Sequence, residues 1–280
     1  MRSAIFFLTT VILLASCNTA EFIQHTPTLA NSGQHTGKGE LHGRLLYSSG
    51  NSTVNSVNNI SDNSPYERVR GEQAQGSYSI SDKLALQGLF MHSSEEGGSK
   101  GTSSQKTIVY KYNRNVTEGG VAFFDNLNQQ KTVFIEIGTG AGFGKFKTTE
   151  TNSLAAPGGR FYDHNVFKLY LQPSVYYASK NFGFATGFKF SYISFTDITT
   201  NYTDPERTSR SINTGNSLNT TTLDFFTKAD IFLNKLPWLG FNGQILISND
   251  LAKHFNYNQT DNNFGIGLSF RFGQLINEKK

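Results

Sequence analysis

The sequence predicts an all-β chain: an antiparallel up-and-down transmembrane β-barrel of about ten strands behind an N-terminal export signal. Three observations carry the prediction. Asn165–Phe195 alternates strictly: Phe167, Leu169, Leu171, Pro173, Val175 and Tyr177 share one face, and Lys168, Tyr170, Gln172, Ser174 and Tyr176 the other. After a short polar turn the period resumes, with Phe182, Phe184, Phe188, Phe190 and Tyr192 opposite Gly183, Ala185, Gly187, Lys189 and Ser191. Period two over such lengths marks a hairpin with one oily face, and its strands exceed the ~5–6 residues usual in soluble sheets. Second, the connections between such segments alternate long and short along the whole chain. Third, composition fits: hydrophobic content is 37%, with 27 Gly, 24 Phe and 12 Tyr, as expected where only alternate residues meet lipid.

The chain divides into a signal (1–16), a polar tether (17–37), a barrel (38–273) and a C-terminal tail (274–280). Strands are expected at Lys38–Ser48, Arg70–Ser79, Leu84–Ser93, Val116–Phe124 (with an extension at Thr107–Arg114), Thr132–Thr148, Asn165–Tyr177, Phe182–Phe195, Asn219–Leu233, Gly240–Ser248 and Asn263–Phe272. The long loops are 49–69, 94–115, 149–164, 197–218 and 249–262, and four short turns complete the set. Outer-membrane barrels have even strand numbers, short periplasmic turns and long outer loops, so the count places both termini in the periplasm. No segment approaches 18 continuous apolar residues, so no transmembrane helix is expected. A net charge of +4 spread among acids gives no basic patch for nucleic acid.

Residues Ala4–Ala15 form an apolar run too short to span a bilayer but right for a signal core. Leu14-Ala15-Ser16-Cys17 resembles the lipobox of bacterial lipoproteins. The resemblance implies a diacylglycerol anchor on Cys17, the one cysteine, which leaves no thiol for a disulfide. With Lys38-Gly39-Glu40-Leu41, Gly76–Leu84, Gly119–Phe124 and Phe270-Arg271-Phe272, the chain resembles a family of Gram-negative outer-membrane β-barrel lipoproteins without assigned activity. That resemblance implies an outer-membrane location. Phe272 departs from the family pattern in that eight residues follow it.

Inward positions hold Glu40, Arg44, Glu72, Glu118, Glu136, Lys168, Lys189, Asp224, Lys228, Asp230 and Arg271. Buried charges must find partners, so these are expected to plug the lumen rather than to form a catalytic acid–base pair. Glu40 and Arg271, near the closing seam, are expected to pair. Gly138–Gly144 lacks the last glycine of GxGxxG and is expected to make room for Tyr170 and Tyr176. Pro173 predicts a bulge or an unpaired position, and Trp238 an interfacial aromatic. Six scattered histidines without HExxH give no expected metal site, and no cofactor is expected. The functional expectation is a non-catalytic barrel, structural or binding partners through its long loops. Two alternatives stand beside it: a periplasmic tethered barrel with apolar faces inward around a small ligand, and a hydrolase using His164 or Asp224.

Overall fold

The computed structural model describes residues 23–25, 28–51, 66–99, 108–152, 159–209, 218–253, 257–259 and 262–273. Elements run β1 (Ile23–His25), β2 (Leu41–Asn51), β3 (Tyr66–Ser79), β4 (Leu84–Ser99), β5 (Ile108–Asn126), β6 (Val133–Asn152), β7 (Arg160–Ala178), β8 (Phe182–Thr200), helix α1 (Asp204–Ser209), β9 (Leu218–Leu233), β10 (Leu236–Lys253), β11 (Tyr257–Gln259) and β12 (Asn262–Phe272). Ten of the strands, all but β1 and β11, close into one antiparallel barrel. The seam joins β12 to β2, with Phe272 opposite Leu41 and Asn262 opposite Asn51. Closure leaves no barrel edge with unpaired backbone donors, which is the condition for a sheet in hydrocarbon.

The oily rows face outward. Leu169 is 47% exposed and Phe190 40%, while their neighbours Lys168 and Lys189 are buried at 1% and 0%. The inverted arrangement, with apolar faces toward the axis, does not form. Trp238 stacks on Phe272 at 6.0 Å beside a short turn, where an interfacial aromatic belongs.

The strands run further toward the long loops than periodicity indicates. β5 is continuous from Ile108, absorbing the expected extension and much of loop 94–115. β6 has 20 residues, about 50 Å of height at ~3.3 Å per residue and a tilt of ~40°, against an apolar band ~25 Å tall. Its outward row shows the boundary: Ile135, Ile137, Thr139, Ala141 and Phe143 give way to exposed Lys145 and Lys147. Beyond the band both faces are polar, so the hydrophobic alternation fades while the hydrogen-bonded ladder continues.

Short turns are fixed locally. Asn128 Oδ1 accepts from Thr132 N (2.9 Å) and Val133 N (3.0 Å), and Lys131 takes a left-handed conformation (φ 53°). At Pro173 the β7–β8 pairing lapses between Leu171↔Phe190 and Ser174↔Gly187 with no change of register. The missing N–H leaves an unpaired position, not a bulge.

Candidate functional site

The site is the bore, and its main occupant is the chain's own N-terminal segment. Gly39 N donates to Ser79 O (2.9 Å) at the short-turn end, so residue 39 enters the barrel wall there. From this end the chain runs backward up the axis. Tyr176 Oη donates to the His35 carbonyl and Lys228 Nζ to the Ser32 carbonyl. Arg44 also donates to Ser32 O (3.1 Å). Asn31 Nδ2 donates to Gly76 O (3.2 Å) and Gly88 O (2.8 Å), and Leu29 N to Gln73 Oε1 (3.1 Å). Thr28 to His35 are buried where described, apart from nothing more than a trace at Asn31 and Gln34. At the far end β1 pairs in parallel with β11, within the long connection between β10 and β12.

The wall is shaped for this segment. A Cβ on Gly265 would strike Leu29, and one on Gly183 would strike Gln34, both from inward-facing positions. Leu29 and Ala30 pack with Leu46, Phe226 and Leu246 as a small apolar cluster inside an otherwise polar layer. The expected polar tether is therefore corrected over residues 28–35: this stretch lies in the bore and is hydrogen-bonded to opposite walls. The same path separates the two ends, since Phe272 lies at the short-turn mouth and β1 at the long-loop mouth. The expectation of both termini at one mouth turns on residues 1–22 and 274–280, which lie outside the described residues. Cys17 and residues 18–22 lie outside the described residues.

Glu40, Arg44, Glu118, Glu136, Lys168, Asp224, Lys228, Asp230 and Arg271 all turn inward and are buried, as is Lys189. Among the described residues the buried acids number six and the buried Lys and Arg six, a balanced interior. At mid-height Glu118 accepts from Lys189 (2.8 Å) and Thr28 Oγ1 (2.6 Å) and lies 2.9 Å from Lys168 Nζ. Both lysines also donate to Thr28 Oγ1, at 3.1 and 2.8 Å. Lower down, Arg44 holds Asp230 through Nε and Nη2 (3.3 and 3.1 Å), with Asn242 donating to the same carboxylate (2.8 Å). Gln87 donates to Glu136 (3.2 Å) and Ser248 to Asp224. Toward the long loops the interior holds an apolar cluster of Leu89, Met91, Val116, Phe146, Val166, Ile193 and Phe195, with buried Arg114 and His164 against it.

Several sequence-based expectations need correction. Glu72 faces outward and is exposed. Glu40 and Arg271 do not pair with each other: Arg271 donates to the Ser179 (3.1 Å) and Lys180 carbonyls, whereas Glu40 lies among His35, His42 and Thr36. The seam register places His42, not Glu40, opposite Arg271. His164 sits among the rings of Phe146, Tyr162 and Phe195 with neither nitrogen hydrogen-bonded. Among the described residues, no imidazole joins the Ser248–Asp224 contact. Of the glycine run, Gly140 (with Gly120 across the ladder) clears space for the Tyr170 hydroxyl, while Tyr176 stacks instead on Phe134 at 5.0 Å.

The long-loop end carries contacts of its own. Expected loop 197–218 contains α1, tied to β7 by Arg160 and Glu206 (2.9 Å), and Tyr202 Oη donates to buried Glu150 (2.5 Å). The Glu206 carboxyl is pushed down to about 2, first by the Thr203 backbone N–H and then by Arg160 and the Thr203 hydroxyl. It therefore stays ionised through ordinary acid stress. Expected loop 149–164 is largely the paired ends of β6 and β7.

No family model matches the chain, and no curated protein is similar to it. Among solved structures it is similar to the translocator domain of the autotransporter NalP from Neisseria meningitidis, with a TM-score of 0.52 at 9% identity, covering 85% of this chain and 90% of that one. It is also matched to OprG from Pseudomonas aeruginosa (TM-score 0.36, 10% identity, 86% and 99% covered). A third match is Ail of Yersinia pestis (0.32, 12%, 84% and 99%). The likeness to the translocator domain is, at that identity, one of fold alone: a closed antiparallel barrel of the outer-membrane kind.

Proposed function

We propose that this chain is an outer-membrane β-barrel lipoprotein whose bore is kept shut by its own N-terminal segment, and which acts through its outer surface rather than as a pore or an enzyme. The observation that carries this is the buried run from Thr28 to His35, hydrogen-bonded to β2, β3, β4, β7 and β9 from within the bore. A segment held from many sides is a fixed filling, not a loosely entering substrate. Charge balance inside the barrel supports the same reading, because a conducting lumen of this width would leave charges to water rather than pair them.

Long loops face outward in barrels of this kind. On that orientation β1 lies at the outer mouth and the C-terminal strand ends at the periplasmic one. Cys17 precedes Ile23 by six residues, which span at most about 20 Å when fully extended. A diacylglycerol on Cys17 would then enter the outer leaflet beside the barrel, in place of the periplasmic anchoring that the strand count alone implies. The lipid and the long loops together would form the surface offered to partners.

Two measurements on the full protein test this. Mass spectrometry of the mature N-terminal peptide is expected to show a diacylglyceryl group on Cys17, lost in Cys17→Ala. Planar bilayers containing the intact protein are expected to give a flat baseline. Stable current steps from the intact chain, or an unmodified Cys17, would overturn the sealed barrel or the anchor, respectively.

A further inference from the structure

The N-terminal segment meets the barrel wall at a group of side chains with the composition of a metal site. His35, on the segment, Glu40, just before β2, and His42, at its start, each turn one donor atom toward the others, all within 4.8 Å. His35 Nδ1 and His42 Nε2 each lie 3.7 Å from Glu40 Oε2. These separations are too long for hydrogen bonds and close to the ~3.4 Å between ligands of a tetrahedral ion with bonds of ~2.1 Å. All three residues are buried: His35 at 0%, His42 at 3% and Glu40 at 4% exposed.

A second observation points to a missing partner. Neither ring nitrogen of His35 has a hydrogen-bond partner, and Nε2 of His42 has none either. Buried polar atoms are almost always satisfied, so three unsatisfied imidazole nitrogens in one place need an explanation. The surroundings also fix the His35 ring. Phe124 lies 5.6 Å from it and His42 4.8 Å edge-on, and a Cβ on Gly33 would collide with it. Ser77 Oγ, itself without a partner, stands 2.8 Å from that same Cβ position, on the Nε2 side of the ring. Thr36 N and its hydroxyl hold the Glu40 carboxylate in turn.

We propose that His35 Nδ1, Glu40 and His42 Nε2 bind one divalent ion of the zinc type near the short-turn mouth, with water as the fourth ligand. Two imidazoles and one carboxylate are a zinc donor set, and a neutral imidazole pair needs no proton removed. Because one ligand belongs to the segment and two to the wall, the ion clips the segment into the bore. The site stands on local geometry and does not depend on lipidation of Cys17.

The test uses the full mature protein folded in detergent, stripped with a chelator, loaded with Zn2+ and passed through a desalting column. About one zinc per chain is expected by the tetrahedral site above. His35→Ala and His42→Ala are each expected to weaken binding at least about 100-fold, since even outer-shell changes cost 10–100-fold. His92→Ala, on an exposed ring, is expected to bind as before. Co2+ in place of zinc is expected to give the visible bands of a four-coordinate ion, absent from His42→Ala. A heat-dependent gel shift establishes that each variant is folded; His35 lies off the barrel, so its loss leaves the ten strands intact. No retained zinc in the wild-type chain, or undiminished zinc in folded His35→Ala and His42→Ala, would overturn the site.

Discussion

Removing residues 18–36, so that Cys17 joins Gly37, is expected to turn a silent barrel into a conducting one. The deletion takes out the backbone of Thr28–His35 and with it the Leu29 side chain that fills the space at Gly265. The inward position it uncovers on β12, Gly265, is too small to refill the path. Arg44, Lys228, Lys168 and Lys189 all lose acceptors on the segment and become available to water and anions. Discrete current steps in planar bilayers, favouring anions over cations, are the expected readout. The apolar cluster on the β4–β9 side stays in place, so the opening follows the β2–β3–β10–β12 wall. A deletion variant that folds by gel shift yet stays silent would mean that the wall side chains close the bore unaided.

Glu118→Ala is expected to be the most damaging single change in the interior. Its carboxylate is the shared acceptor for Lys168, Lys189 and Thr28 at mid-height, where the two lysines are 1% and 0% exposed. Breaking one partner of a buried ion pair costs about 3–5 kcal/mol because a charge is left uncompensated. Lys189 keeps a neighbour in Asp224, directly opposite it on β9. Lys168 keeps the Thr28 hydroxyl and shares Asp224 as a nearby counter-charge, so one acid is left between two buried lysines. The double change Glu118→Gln with Lys168→Met is expected to recover most of the loss, since deleting a pair together is often close to neutral. Urea unfolding in lipid vesicles, followed through Trp238 fluorescence, measures both. Equal stability of Glu118→Ala and the wild-type chain would show that the network is wet rather than buried.

Much of the barrel was legible because each strand across the apolar band presents two chemically different faces. Phe167, Leu169, Phe188 and Phe190 could not share a side with Lys168 and Lys189, so the rows fixed which residues turn inward. A register shift of one would have reversed both. Where that contrast fades, the reading faded with it. Glu72 sits in Glu72-Gln73-Ala74-Gln75, polar on both faces, opposite Tyr47 and His92 above the oily band. Nothing local there says which way the carboxylate points. The upper ends of β4 to β8 were read as loops for the same reason.

The segment inside the bore was hidden by a different cause. Thr28-Leu29-Ala30-Asn31-Ser32 looks like a linker because its partners are remote: Thr28 meets Glu118 and Lys189, 90 and 161 residues away. No periodicity is imposed on a strand-free segment surrounded by wall on all sides. The His35–Glu40–His42 group did leave a trace. Glu40 and His42 are two apart at the start of a strand and so share its inner face, which sets two ligands side by side; a third histidine five residues earlier completes the set once the chain turns back. Counting histidines for helical metal motifs passes over that pattern. The expected Glu40–Arg271 pair failed because Glu40 found closer partners on the very segment that was taken for a tether.

The threaded path of the N-terminus is best tested by labelling Ile23→Cys on intact cells with a membrane-impermeant maleimide. The wild-type chain gives the background, since the proposed thioether would block its Cys17 sulfur. Gln130→Cys, in the exposed turn between β5 and β6, is the control for the periplasmic side. The expected result is that position 23 labels on intact cells while position 130 labels only after the outer membrane is permeabilised. Labelling of position 23 only after permeabilisation, together with position 130, would contradict a segment that rises through the bore to the outer mouth.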